Sequence, residues 1–286
     1  MKFNRAREDV SNIVHLEHVN VTVPDQRLAT LFYVAGLGGT RDPYLMVGLD
    51  NMWVNLGRSQ MHLPTNSPQV LRGTIGLVVP DLGLLKKSLG KVAPALKDTA
   101  FGFEDSGSHV SATCPWGNRF RCHAPAAQYG ETELAMAYIE YEVPKKAAAG
   151  IARFYSEIIG APAEVVSAGD AVTASVSVGR DQRLLFRETP AAPPEYDGHH
   201  MQVYFADFSG PYKRLLERGL VSKETDAHEW RFMDIVDPKT NKPLFRIEHE
   251  VRSMKHPLYG RPLVNRNPAQ SNRNYLRGRD AFRGIY

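Results

Sequence analysis

Polar and apolar residues alternate from Val14 to Val23 (Val-His-Leu-Glu-His-Val-Asn-Val-Thr-Val), the period of a strand buried on one face. The period then lengthens. Leu28, Leu31, Phe32 and Ala35 fall at helical spacing, Asp25 can cap the first turn, and Gly36, Gly38 and Gly39 stop the helix. Short strand candidates follow at Tyr44–Val47, Met52–Leu56 and Gln60–Leu63, giving the order βαβββ. A second such unit starts at Arg72–Val79, with Asp81, a helix over Leu82–Leu89 and strands near Ala100–Glu104, His109–Thr113 and Arg119–His123.

The pattern is then reused. His18-Val-Asn-Val-Thr-Val-Pro-Asp, with Leu31-Phe32-Tyr33 and Leu37-Gly38, recurs as Tyr138-Ile-Glu-Tyr-Glu-Val-Pro-Lys, with Arg153-Phe154-Tyr155 and Ile159-Gly160. Pro24 and Pro144 lie 120 residues apart and Phe32 and Phe154 lie 122 apart, so one structural unit is used twice. The third unit spans about Ala137–Glu188 and the fourth about His199–Glu250, with a helix at Pro211–Leu220. The pattern predicts an α+β fold class: four βαβββ units in two modules. Chain order suggests residues 1–130 as one module (units 13–66 and 72–125) and 131–250 as the other (136–190 and 198–250).

Composition narrows the function. A chain of 286 residues can bury two cores. No apolar run has membrane-spanning length and the polar N-terminus lacks a secretion signal, so a cytoplasmic protein is expected. Cys114 and Cys122, too few for a disulfide framework, read as packed thiols. The net charge of +4 comes from residues 251–286, which carry seven Arg and one Lys against Asp280, or +7; the rest of the chain is −3. Such a basic tail reads as an extended arm packing on its own domain or at a homo-oligomer interface, in preference to a nucleic-acid arm using Arg273, Tyr275, Arg277, Arg279 and Arg283. Dinucleotide and phosphate loops, the His-Glu-x-x-His motif and the serine-hydrolase elbow are all missing from the sequence.

Four βαβββ units, with Phe-Tyr-x-x-x-Leu/Ile-Gly closing two helices and Pro115-Trp-Gly-Asn118 before a last strand, resemble the vicinal oxygen chelate superfamily. It includes glyoxalase I, bleomycin-resistance proteins and extradiol dioxygenases. The resemblance implies paired units forming a curved mixed sheet around a cup, with helices outside and a divalent metal (Fe(II), Zn(II), Mn(II) or Ni(II)) held by the first and last strands. His18, seven residues before Asp25, matches the first-strand ligand, and His62 in Met61-His62-Leu63 matches the last-strand carboxylate position. In the second unit Thr74 and Arg121 stand at ligand positions, and His123 shares a strand face with Arg121. One candidate centre is therefore His18, His62 and His123.

The other lies in the C-terminal half. Gly198-His199-His200-Met-Gln-Val resembles the His-His strand of extradiol dioxygenases, with His200 as ligand, Glu248 as the carboxylate and His228, 20 residues earlier, as the acid/base group. Tyr138 replaces the family's remaining histidine, and Glu140 shares its face. Three ligands with an open position would suit Lewis-acid or oxygen chemistry, and a nearby histidine would move protons. Three readings stay open: a dioxygenase-like or glyoxalase-like enzyme acting on a small oxygen-rich or aromatic molecule, a metal-free binding protein whose Thr74, Arg121 and Tyr138 mark lapsed metal sites, and an oligomeric scaffold whose basic tail does the work.

Overall fold

The computed structural model describes residues 5, 9–45, 48–169, 171–267 and 269–279. The first unit contains β1 (Ile13–Asn20), α1 (Gln26–Ala29), β2 (Thr40–Arg41), β3 (Asn51–Leu56) and β4 (Ser59–Pro64). The second contains β5 (Gly73–Val78), α2 (Leu82–Leu96), β6 (Gly102–Asp105), β7 (Val110–Thr113) and β8 (Arg119–His123). The third runs through β9 (Ala135–Pro144), α3 (Ala148–Arg153), β10 (Ala163–Ala168), β11 (Ala171–Ser177) and β12 (Arg183–Thr189). The fourth has β13 (His200–Phe205), α4 (Ser209–Leu216), β14 (Val221–Asp226), β15 (Glu229–Val236) and β16 (Pro243–Ser253).

Local chemistry sets these elements. The Asp25 carboxylate accepts the N–H groups of Arg27 and Leu28 at 2.8 and 2.9 Å, and Asp81 accepts that of Leu84 at 2.9 Å, satisfying donors at the starts of α1 and α2. α2 runs on to Leu96, past the expected end at Leu89, because Leu85, Leu89, Val92 and Leu96 continue one buried stripe despite Pro94. The repeated Phe-Tyr motif has a structural correlate. α1 and α3 both widen into π-helical turns, over Thr30–Gly36 and Phe154–Ile159, which bury the adjacent pairs Phe32-Tyr33 and Phe154-Tyr155. Of the strand expected at Tyr44–Val47, residues 46–47 lie outside the described residues. Tyr44 and Leu45 instead donate their N–H groups to Asp42, and the short strand of that unit is β2.

The strands form two eight-stranded mixed sheets, in the orders β14-β15-β16-β13-β1-β4-β3-β2 and β10-β11-β12-β9-β5-β8-β7-β6. β4 is parallel to β1 and β8 to β5, whereas β5 and β9 are antiparallel. The first unit thus shares a sheet with the fourth, and the second with the third, which differs from grouping consecutive units. By contacts the chain divides into two compact units. One comprises the chain up to Leu16, Glu142–Pro194 and Gln202–Tyr259; the other comprises Glu17–Tyr141, Glu195–Met201 and the chain from Gly260 onward.

The basic tail begins later than expected, because β16 continues to Ser253. Beyond Gly260 it is stitched to the strands of the first unit. Arg261 pairs with the buried Asp42 at 2.9 Å, Asn55 donates to the Val264 carbonyl, and the Asn265 amide both accepts from and donates to the Gly57 backbone. Burial opposes ionisation of Asp42, yet the Leu45 and Tyr44 N–H groups and Arg261 hold its pKa below the ordinary value.

Candidate metal centre

Strand alternation gives each sheet one apolar and one polar face. In the first sheet Val19, Met61, Leu63, Met52 and Val54 are buried on the apolar side. His18 and Asn20 point to the other side, opposite Gln60 and His62 in the parallel β1–β4 register. His62 is also directly opposite Trp53 on β3, and their rings stack at 3.7 Å. His18 is fully buried and lies edge-on to Trp53, 4.8 Å away, with His62 at 5.8 Å and His200 on β13 at 6.2 Å.

His18 and His62 therefore share a face, as the resemblance implies, but their roles diverge. His62 Nδ1 lies 2.6 Å from the Asn20 amide nitrogen and Nε2 lies 2.6 Å from Asn51 Oδ1. With both ring nitrogens engaged, it has no lone pair left for a metal. His123 lies on β8, in the other sheet from β1 and β4, and its Nε2 is bonded to the Tyr138 hydroxyl at 2.9 Å. The proposed triad His18, His62 and His123 is not assembled, since the sheets join units by a pairing that chain order does not follow. Tyr138 and Glu140, weighed as companions of His200, are likewise on β9 of the second sheet.

Glu248 and Glu250 alternate on β16, where Arg231 spans them. Its guanidinium contacts Glu250 at 2.6 Å, Glu229 at 3.1 Å and Glu248 at 3.2 Å. Arg252 adds contacts to Glu250 at 2.6 Å and Glu229 at 3.2 Å. Burial alone would lower the Arg231 pKa, but the carboxylates of Glu250, Glu248 and Glu229 outweigh it and hold the cation. Among the described residues, the side chains able to hold a metal together are His18, His200 and Glu250, so the carboxylate lies one strand repeat beyond Glu248. Register breaks between β15 and β16 shift the residue count along β16 relative to its neighbour.

The remaining histidines separate by environment. His228 sits in the β14–β15 turn, 6.5 Å from His256 rather than on an inner strand face. His15 stacks with Tyr204 at 6.3 Å. His199 is buried, with Nδ1 2.5 Å from Asp197; burial outweighs that carboxylate and lowers its pKa. His249 is fully buried between Phe232, stacked at 4.0 Å, and the Tyr155 hydroxyl at 2.7 Å, and burial pushes its pKa down to about 3. It is a core residue on the face away from Glu248 and Glu250.

Sequence reasoning passed over Gln202. It follows His200 by two residues and so shares its face of β13; it is fully buried, and neither amide atom has a hydrogen-bond partner among the described residues. The available signal was its position, one strand repeat after His200.

No protein-family model and no curated protein matches the chain. Solved structures do. Glyoxalase I from Zea mays aligns with TM-score 0.57 at 12% identity, covering 84% of this chain and 92% of that one. A candidate dioxygenase from Bacillus subtilis aligns with TM-score 0.56 at 14% identity, covering 86% and 87%. Two eight-stranded mixed sheets built from four βαβββ units, together with these matches, show that the chain has the two-module fold shared by glyoxalase I and that candidate dioxygenase.

Proposed function

We propose that the chain is a metal-dependent enzyme whose centre is His18, His200 and Glu250, acting on a small oxygen-rich or aromatic molecule by dioxygenase-like or glyoxalase-like chemistry. One observation carries this reading: the candidate ligand atoms of these three side chains all lie within 4.8 Å of one another. Two imidazoles and a carboxylate suit Fe(II), Zn(II), Mn(II) or Ni(II) and leave positions open for substrate. The arginines fit as well, because ligating carboxylates are commonly oriented by further hydrogen bonds, as Arg231 and Arg252 do for Glu250.

A bound divalent metal supplies Lewis acidity to neighbouring substrate oxygens. The protein supplies the rest. The stacked Trp53 and His62 rings offer a flat wall for a planar substrate. Gln202 brings a desolvated amide whose unmet hydrogen bonds are available to a substrate oxygen. His62, 5.8 Å from His18, has both nitrogens held by Asn20 and Asn51, so it fixes the Trp53 wall beside the centre rather than moving a proton. We place the working enzyme in the cytoplasm as a homo-oligomer, which size-exclusion chromatography checks.

The test is reconstitution of untagged protein with each of the four metals, followed by assay of aromatic vicinal diols for oxygen uptake and of small hydroxycarbonyl compounds for isomerisation. Turnover that requires metal and falls at least about a hundredfold in His200→Ala supports the reading. Turnover unaffected by that change contradicts it.

A further inference from the structure

The second sheet carries a polar face of its own. Its apolar side buries Ile75, Leu77, Phe120, Cys122, Ile139 and Tyr141 at 1% exposure or less. The opposite side presents Arg121 and His123 from β8 and Tyr138 and Glu140 from β9, all half-buried. Gly76 lies between them on β5, in register with both Arg121 and Tyr138. A Cβ there would come within 2.2 Å of the Tyr138 ring. Only glycine lets that ring lie down on β5 and bring its hydroxyl to His123.

The proton inventory of this face is defined by its contacts. Burial pushes the Tyr138 pKa up to about 12 despite Arg121, so the hydroxyl keeps its proton and donates to His123 Nε2. Burial, with His109 and Arg121 nearby, lowers the His123 pKa to about 4, so the ring is neutral and its proton is on Nδ1. Its Nε2 lone pair is spent on Tyr138, and Arg121 opposes any cation. The chemistry therefore favours an anion over a metal.

Arg121 is the anchor. Its side chain is 36% exposed, and among the described residues it meets, besides Tyr138, Glu140 Oε1 at a long 3.4 Å, leaving most of the fork open. Beside it, His123 lies 5.4 Å from His109 and 5.1 Å from Tyr129, an edge of three rings. We propose that this face binds a small aromatic carboxylate without a metal, the carboxylate on the Arg121 guanidinium and the ring against His123 and Tyr129. A planar fork matches a carboxylate through two parallel hydrogen bonds, and neutral rings receive an aromatic body. The site is independent of His18, His200 and Glu250.

Isothermal titration of the full-length chain with benzoate, using benzyl alcohol as the uncharged counterpart, tests this. Benzoate is expected to bind and benzyl alcohol to bind at least about tenfold more weakly, as expected for losing a hydrogen bond to a charged group. Arg121→Leu should weaken benzoate binding by a similar factor, and Glu140→Gln, which removes the competing carboxylate, should tighten it. The double variant His18→Ala/His200→Ala should leave it unchanged, which separates this site from the metal centre. No benzoate binding at millimolar concentration overturns the proposal. So does equal binding of benzyl alcohol, or affinity that survives Arg121→Leu in protein whose melting temperature is intact. Should Arg121→Leu fail to fold, weaker binding in Glu140→Gln overturns it equally.

Discussion

Replacing Gln202 with leucine should make the protein more stable and less able to bind its substrate. The side chain is fully buried and neither amide atom is hydrogen-bonded among the described residues. An unsatisfied buried polar group costs about 1–3 kcal/mol, and leucine removes both such atoms. Leucine is one heavy atom smaller, which returns about 1 kcal/mol as lost packing. The net expectation is a gain of up to about 2 kcal/mol, or up to roughly 4–8 °C in melting temperature for a chain of this size. Urea unfolding and thermal melting of the wild type and Gln202→Leu, without substrate, read that gain directly. A substrate identified by the reconstitution assay should then show a raised KM in the variant. Functional sites commonly hold such stability in reserve. A loss of about 1 kcal/mol or more in Gln202→Leu would refute the reasoning, because it would mean the amide is satisfied and belongs to the core.

His249→Phe should flatten the acid dependence of stability. The folded-state pKa is about 3, so from pH 6.5 down to about 3 the unfolded chain takes a proton that the native state refuses, and the wild type should lose about 2 kcal/mol by pH 5 that the variant keeps, as urea unfolding at pH 7.5 and 5.0 will show. Arg231→Met should destabilise by about 3–5 kcal/mol, since Glu229, Glu248 and Glu250 lose their shared cation; urea unfolding at pH 7 checks it.

Much of the architecture is written locally. Asp25 and Asp81 cap helices as their positions suggest, β8 coincides with Arg119–His123, and the duplicated Phe-Tyr motif falls on equivalent widened turns. Local signals end where pairing begins. Nothing in the alternation of β1 or β5 says which distant strand becomes its neighbour, so His123 was grouped with His18 although β8 belongs to the other sheet. The resemblance grouped His18 with His62, and the β1–β4 register does put them on one face, but sequence could not reveal that Asn20 and Asn51 occupy both nitrogens of His62. Glu248 and Glu250 have the same parity, and only the broken β15–β16 register separates them. Gln202 was invisible because an amide in a strand carries no sign of whether its hydrogen bonds are met.

The central claim is that His18, His200 and Glu250 hold one divalent metal. Elemental analysis of untagged, reconstituted protein tests it most directly, with His18→Ala, His200→Ala and Glu250→Gln set beside His62→Ala and His123→Ala. Bound metal near one equivalent in the wild type, lost in each of the first three variants and retained in the last two, is the predicted result. Metal that persists in His18→Ala and His200→Ala, or that disappears with His62 or His123 instead, would contradict the account.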